Sequence, residues 1–261
     1  MLNEEDAIRA LVYDNVNVTE ENPMKELMKV LFQVFIYVVI AYFSIFFLTG
    51  IVLHNMSDSQ QVWLENAIAD TSFVETLKLT DTEKERLIRV RDEILQRDSD
   101  FPKTSALDIE IIEHPMKNAL CYPNGNIYIT DSLYKYLTTD EMLTFVIAHE
   151  MAHYKNRDHL MNLRKNIASN CVILSFAILG GDVPIDKLVS SSLDLADMKY
   201  SKRKEALADK YAARILKRIY GNLDGGIQVI EILKQGDYDE SDFFSTHPSL
   251  EKRIMYLKKN N

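Results

Sequence analysis

Asp140-Glu-Met-Leu-Thr-Phe-Val-Ile-Ala-His149-Glu150-Met151-Ala152-His153 decides the reading of this chain. The stretch has no Gly or Pro and mixes acidic and apolar residues at helical spacing, so it reads as one helix. On a helix, residues i and i+4 stand one above the other on the same face. His149 and His153 can therefore meet a single metal ion, with the carboxylate of Glu150 beside it. Two neutral imidazoles and a glutamate that takes a proton from metal-bound water are what a zinc peptidase needs. The competing reading is two surface histidines on an ordinary helix.

Composition narrows the class. A chain of 261 residues with 47% hydrophobic residues can build one catalytic domain plus an accessory segment. A net charge of -9 argues against nucleic acid as a partner, because phosphate binding needs a basic surface. Cys121 and Cys171 are too few for a disulfide framework and read as two buried thiols.

Upstream, Val30–Leu53 contains no Asp, Glu, Lys, Arg or His. About 20 apolar residues suffice to cross a bilayer as a helix, so residues 30–53 read as a transmembrane helix. Lys25 and Lys29 precede it, whereas no Lys or Arg follows until Lys78. The positive-inside rule then puts residues 1–29, an acidic tail, in the cytoplasm. The C-terminal part lies across the cell (inner) membrane, which makes the protein single-pass. Residues 54–76 connect, with a helix over Gln60–Thr76, and residues 77–261 form the catalytic domain. Within it, Thr80 and Glu83 make a capping box for a helix over Asp81–Arg97. Leu107–Glu113, Ala119–Tyr122 and Asn126–Thr130 read as short strands, the last two joined at Pro123-Asn124-Gly125. Helices follow. The expectation is an α+β fold, mainly helical, with a small antiparallel sheet.

Two histidines leave tetrahedral zinc in need of a third protein ligand and an open position for water. His159 lies six residues past His153 and, at about 100° per residue, off the shared face. Ser201–Leu216 reads as a helix on which Glu205 and Asp209 share one face among small alanines. Glu205 can complete His-His-Glu, and Asp209 can hold a ligand histidine through its other ring nitrogen. Alternatively, both pair with Lys202, Arg203 or Lys210 on an exposed helix. His247 is a further candidate, because Pro248 at a helix start fixes its position.

His-Glu-Met-Ala-His, Glu205-Ala-Leu-Ala-Asp209, Ser245-Thr-His247-Pro248 with Arg253-Ile254, and Asn118-Ala119 ahead of Pro123-x-Gly125-x-Ile127 occur in one order. Together they resemble the HtpX and CAAX prenyl endopeptidase family of gluzincins over about Leu77–Leu257. The resemblance implies a zincin-like domain binding one zinc through His149, His153 and Glu205. It makes Glu150 the general base and Asp209 a support for a ligand; beside the resemblance, the position of His247 before Pro248 reads as a helper at the developing oxyanion or as a plain N-cap histidine. It also implies that the strand Gly125, Asn126, Ile127, Tyr128, Ile129 offers its backbone as an edge to extended protein or peptide substrates. The chain departs from multi-spanning members. Between the histidines and Glu205, the apolar stretch Ile167–Gly181 is too short to span and is ended by Gly180-Gly181-Asp182-Val183-Pro184, so it reads as a buried core helix, with a membrane-dipping segment as the alternative. The lack of further spans puts lipidated CAAX substrates in doubt. The expected function is a membrane-anchored zinc endopeptidase acting on unfolded, membrane or exported proteins in quality control. The alternative is a zinc-dependent, chaperone-like binding module with little proteolysis.

Overall fold

A computed structural model describes residues 22–68, 76–102, 107–178, 200–234 and 250–261. In chain order the described elements are α1 (Pro23–Asn55), α2 (Asp58–Ile68), α3 (Asp81–Arg97), β1 (Ile109–Ile112), β2 (Ala119–Cys121), β3 (Ile127–Thr130), α4 (Asp131–Tyr134), α5 (Asp140–Lys155), α6 (Asp158–Ile178), α7 (Lys202–Tyr220), α8 (Asp224–Lys234) and α9 (Leu250–Asn260). The mainly helical α+β plan with one small sheet is present.

Local chemistry sets several boundaries. The capping box forms as read: the Thr80 hydroxyl accepts from the Glu83 amide while the Glu83 carboxylate accepts from Thr80. Thr139 caps α5 by accepting from the Met142 amide, and Ser201 caps α7 by accepting from the Lys204 amide. Helix α7 ends at Gly221, whose φ of 81° is the left-handed conformation a glycine adopts without strain. Of the helix expected over Gln60–Thr76, the part up to Ile68 is helical within α2, residues 69–75 lie outside the described residues, and Thr76 pairs with Ile112 as an isolated bridge.

The sheet is mixed rather than antiparallel throughout. β2 and β3 form the expected antiparallel hairpin, with Ala119 opposite Ile129 and Cys121 opposite Ile127. β1 lies on the far side of β3 and pairs with it in parallel, Ile109 opposite Ile127 and Ile112 opposite Thr130. The order is β1-β3-β2. The segment 113–118 carries the chain past the end of β3 before the hairpin begins. β3 is therefore central and wholly buried, and the expectation that residues 125–129 present a free edge is not met. The exposed edge of the hairpin belongs to β2.

The core lies between the sheet and the pair α5–α7, where Phe145, Leu143, Ile147 and Met151 of α5 meet Ala208, Ala212, Ile215 and Leu216 of α7. α8 closes the other side of α5. Gly226 allows this, because a Cβ there would run into the Phe145 ring.

α1 is long and apolar enough to cross a membrane by length and composition, and none of its residues is buried. It encloses residues 30–53. Ile167–Gly181 is not the buried core helix the sequence suggests. Residues up to Ile178 continue α6, which packs along α1, and Ile173 is exposed. Arg164 of α6 donates to the Phe46 carbonyl at 3.1 Å and lies 4.2 Å from the Phe46 ring. Gly50 lacks the Cβ that would collide with this guanidinium.

Candidate metal centre

α5 and α7 cross so that three side chains converge. His149 Nε2 lies 3.2 Å from His153 Nε2 and 3.4 Å from Glu205 Oε2, and His153 Nε2 lies 3.3 Å from Glu205 Oε1. All three residues are buried, and the group could hold a metal ion. The exposed-helix alternative for Glu205 and Asp209 fails, since they are 1% and 2% exposed. Small residues at Ala208 and Ala212 let the two helices approach.

The far nitrogen of each ring is held by a carboxylate. His149 Nδ1 stands 3.1 Å from Asp209 Oδ1, where the sequence put Asp209. His153 Nδ1 stands 2.8 Å from Asp158 Oδ2. An Nδ1–H donated to each carboxylate turns the Nε2 lone pair toward the centre. Asp158 escaped the sequence reading. It enters because Arg157 adopts a left-handed φ of 54° between α5 and α6, a conformation no glycine or asparagine announces there. Lys204 braces Asp158 from α7, Nζ to Oδ1 at 3.1 Å. Tyr200 was also missed; its ring stacks on His153, centroids 3.8 Å apart and 9° from parallel.

Arg253 reaches in from α9 and is 4% exposed. Its Nε and Nη2 each donate to Asp209 at 2.8 Å, and its Nη1 lies 3.2 Å from Glu205 Oε2. It anchors the C-terminal helix on the ligand-supporting carboxylate itself. Burial, the largest influence, and the charge of Arg253 pull the His149 pKa down, yet the Asp209 and Glu205 carboxylates outweigh them and raise it to about 9. Burial likewise opposes His153, which Asp158 and Glu205 hold above its ordinary value. Burial first, then the charges around it, Glu150 foremost, push the Tyr200 hydroxyl up.

Glu150 is 1% exposed and lies between the two histidines on α5. His159 stays apart: its Nε2 meets Glu65 Oε1 at 3.3 Å and its ring stacks on Tyr154. His247 lies outside the described residues. Gly125, Asn126, Ile127, Tyr128 and Ile129 belong to the hairpin turn and the central strand. Cys121 is buried and Cys171 half-buried, and neither forms a disulfide among the described residues.

The family profile described as peptidase family M48 matches residues 81–261. A mitochondrial metalloendopeptidase OMA1 of Danio rerio is 27% identical over 186 residues, covering 64% of this chain and 38% of that protein. The mitochondrial metalloendopeptidase OMA1 of Saccharomyces cerevisiae is 26% identical over 162 residues, 58% of this chain and 46% of that protein. A protease HtpX homolog of Pyrococcus abyssi is 26% identical over 209 residues, 64% of this chain and 71% of that protein. The chain thus spans less than half the length of these two OMA1 relatives.

Proposed function

The chain belongs to peptidase family M48, and from that premise we propose that it is a membrane-anchored zinc endopeptidase cleaving extended, unfolded segments of membrane or exported proteins in quality control. The convergence of His149, His153 and Glu205 in a buried site carries the reading. The ring nitrogens lie 3.2 Å apart, and Glu205 turns Oε2 to His149 at 3.4 Å and Oε1 to His153 at 3.3 Å, a spacing that suits a small tetrahedral ion such as zinc. Ligand atoms about 2.05 Å from a tetrahedral ion stand about 3.35 Å apart.

Bound there, zinc would acidify a water and polarise the scissile carbonyl. Glu150 takes the proton of that water and passes it to the leaving amine. Asp209 and Asp158 keep both imidazoles in the ligating tautomer. His247 is the proposed donor to the developing oxyanion. Substrate backbone is assigned to β2 rather than β3. Thr130 donates to the Asn118 carbonyl and Tyr122 to the Asn126 carbonyl, so the alternation of an antiparallel pair turns the amide and carbonyl of Cys121 away from β3. An extended peptide can add there as a further strand.

Residues 30–53 are the proposed span. Lys25 and Lys29 favour a cytoplasmic N-terminus, with the peptidase domain outside. Protease added to spheroplasts should then digest the C-terminal domain; its protection would reverse the orientation. For the activity, Glu150→Gln should keep fold and zinc while losing cleavage of an unfolded protein by at least about a hundredfold. Undiminished cleavage by that variant would overturn the mechanism. Absence of cleavage by the wild type, with binding retained, would favour the chaperone-like alternative.

A further inference from the structure

α7 carries a second feature, on the side turned away from the metal. Its two carboxylates, Glu205 and Asp209, point inward to the metal centre and are buried. Every charged side chain the helix shows to solvent is consequently a cation: Lys202, Arg203, Lys210, Arg214, Lys217 and Arg218. This happens in a chain of net charge -9, so the imbalance is local rather than a reflection of composition.

Lys210, Arg214 and Lys217 recur at i, i+4 and i+7 and line a cleft of about 520 Å³ bounded by α5, α7 and α9. None of the metal-site residues lines it. Its floor is apolar, with Tyr211, Ala213 and Leu223 buried, and Leu207 and Tyr256 stand exposed at the rim. Lys155 on the α5 side is engaged by Asp98 at 2.6 Å. No carboxylate among the described residues lies within ion-pairing distance of Lys210, Arg214 or Lys217. Arg214 rests 5.1 Å above the Tyr211 ring, which holds its guanidinium at the cleft wall.

We propose that this cleft docks an acidic, amphipathic helical segment of another polypeptide. The spacing favours a helix. Along α7 the three cations are separated by about 6 and then about 4.5 Å, the steps at which a helix places its own i, i+4 and i+7 carboxylates. An extended segment repeats same-side residues about 6.6 Å apart and loses register by the third cation. The apolar floor suits the hydrophobic stripe of such a helix. A bilayer is flat and cannot reach a floor recessed between helices, and a polyanionic nucleic acid finds no use for one. The site does not depend on hydrolysis and stands whatever the metal centre does.

The test uses the whole chain in detergent micelles, carrying Glu150→Gln so that nothing is cleaved. A labelled helical peptide with Glu at i, i+4 and i+7 and Leu on the adjoining face is titrated by fluorescence anisotropy. Lys210→Glu/Arg214→Glu/Lys217→Glu should weaken binding about tenfold or more, since three attractions become three repulsions. Replacing the peptide's Glu by Gln should do the same. A charge-matched control, Lys78→Glu/Lys84→Glu/Lys135→Glu, should change affinity less than about twofold, because those exposed lysines belong to none of the elements that line the cleft and charges are screened within about 8 Å at physiological salt. Equal binding by the cleft variant, equal loss in the control, or dependence on the three cations for phosphatidylserine vesicles but not for the peptide would each overturn the proposal.

Discussion

Asp209 has two jobs that mutation can separate. It receives two 2.8 Å bonds from Arg253 and lies 3.1 Å from His149 Nδ1, with both charged partners almost fully buried. Asp209→Ala takes from the buried Arg253 guanidinium its two shortest bonds, leaving Glu205 at 3.2 Å and His149 Nδ1 at 3.3 Å beside it. Removing one member of a buried pair costs about 3–5 kcal/mol, chiefly because the other charge is stranded. The same change takes the acceptor from His149 and should weaken zinc binding about 10- to 100-fold, or about 1.4–2.7 kcal/mol. Arg253→Met should also destabilise the fold, but it leaves the Asp209–His149 bond in place, so zinc affinity should fall less than about threefold. In the double variant neither charge is stranded, and its cost in stability should undercut the sum of the singles by about 1–3 kcal/mol. Zinc affinity of the double should match Asp209→Ala alone. The assays are urea unfolding of the metal-free protein and zinc competition against a chelator. If Arg253→Met loses as much zinc affinity as Asp209→Ala, orientation of His149 by Asp209 is refuted and Arg253 is the group that holds Glu205 in place.

Four further outcomes follow from neighbouring features. Glu205→Ala should lose most bound zinc by metal analysis after dialysis, because two ligands rarely hold the ion against a chelator; full retention would hand the third position to another side chain. Asp158→Ala should weaken zinc about 10- to 100-fold through His153, while Asp158→Asn, which keeps an acceptor oxygen, should lose less in the same titration. Gly226→Ala should cost about 1–3 kcal/mol in urea unfolding, since its Cβ meets the Phe145 ring. Burial raises the Asp98 carboxyl, but Lys155 and Tyr211 hold it below its usual 3.8. Its contribution is therefore full above about pH 4 and fades as pH falls through the lowered value, so Asp98→Asn should flatten the acid limb of a stability profile.

The parts of this protein that were readable in advance are those encoded within one turn of helix or one capping motif. His149, Glu150 and His153 are fixed by their own spacing. Glu205 and Asp209 share a face that needs only α7 to form, and Thr80 with Glu83 closes a box three residues wide. What was not readable depends on partners far apart in the chain. Alternation in β1 announces a half-buried strand but not which neighbour it joins, and so the central place of β3 was missed. Asp158 comes into the site through a left-handed Arg157 that has no local signature. Ile167–Ile178 is apolar enough for a core, yet it continues a helix that packs along α1, a contact written in Phe46, Gly50 and Arg164 together.

That last contact makes α1 a mount rather than a leash. α6 begins at the carboxylate that steadies His153 and, roughly 9 Å further along its axis, grips the backbone of α1 through Arg164. A helix transmits displacement with little loss, so a shift at Gly50 is felt at His153 without passing through any loop. The centre is thereby held at one height and one bearing relative to α1. If α1 spans a membrane as proposed, a substrate polypeptide comes to the centre at that station, and where it is cut becomes a matter of distance from the bilayer as well as of the residues at the bond.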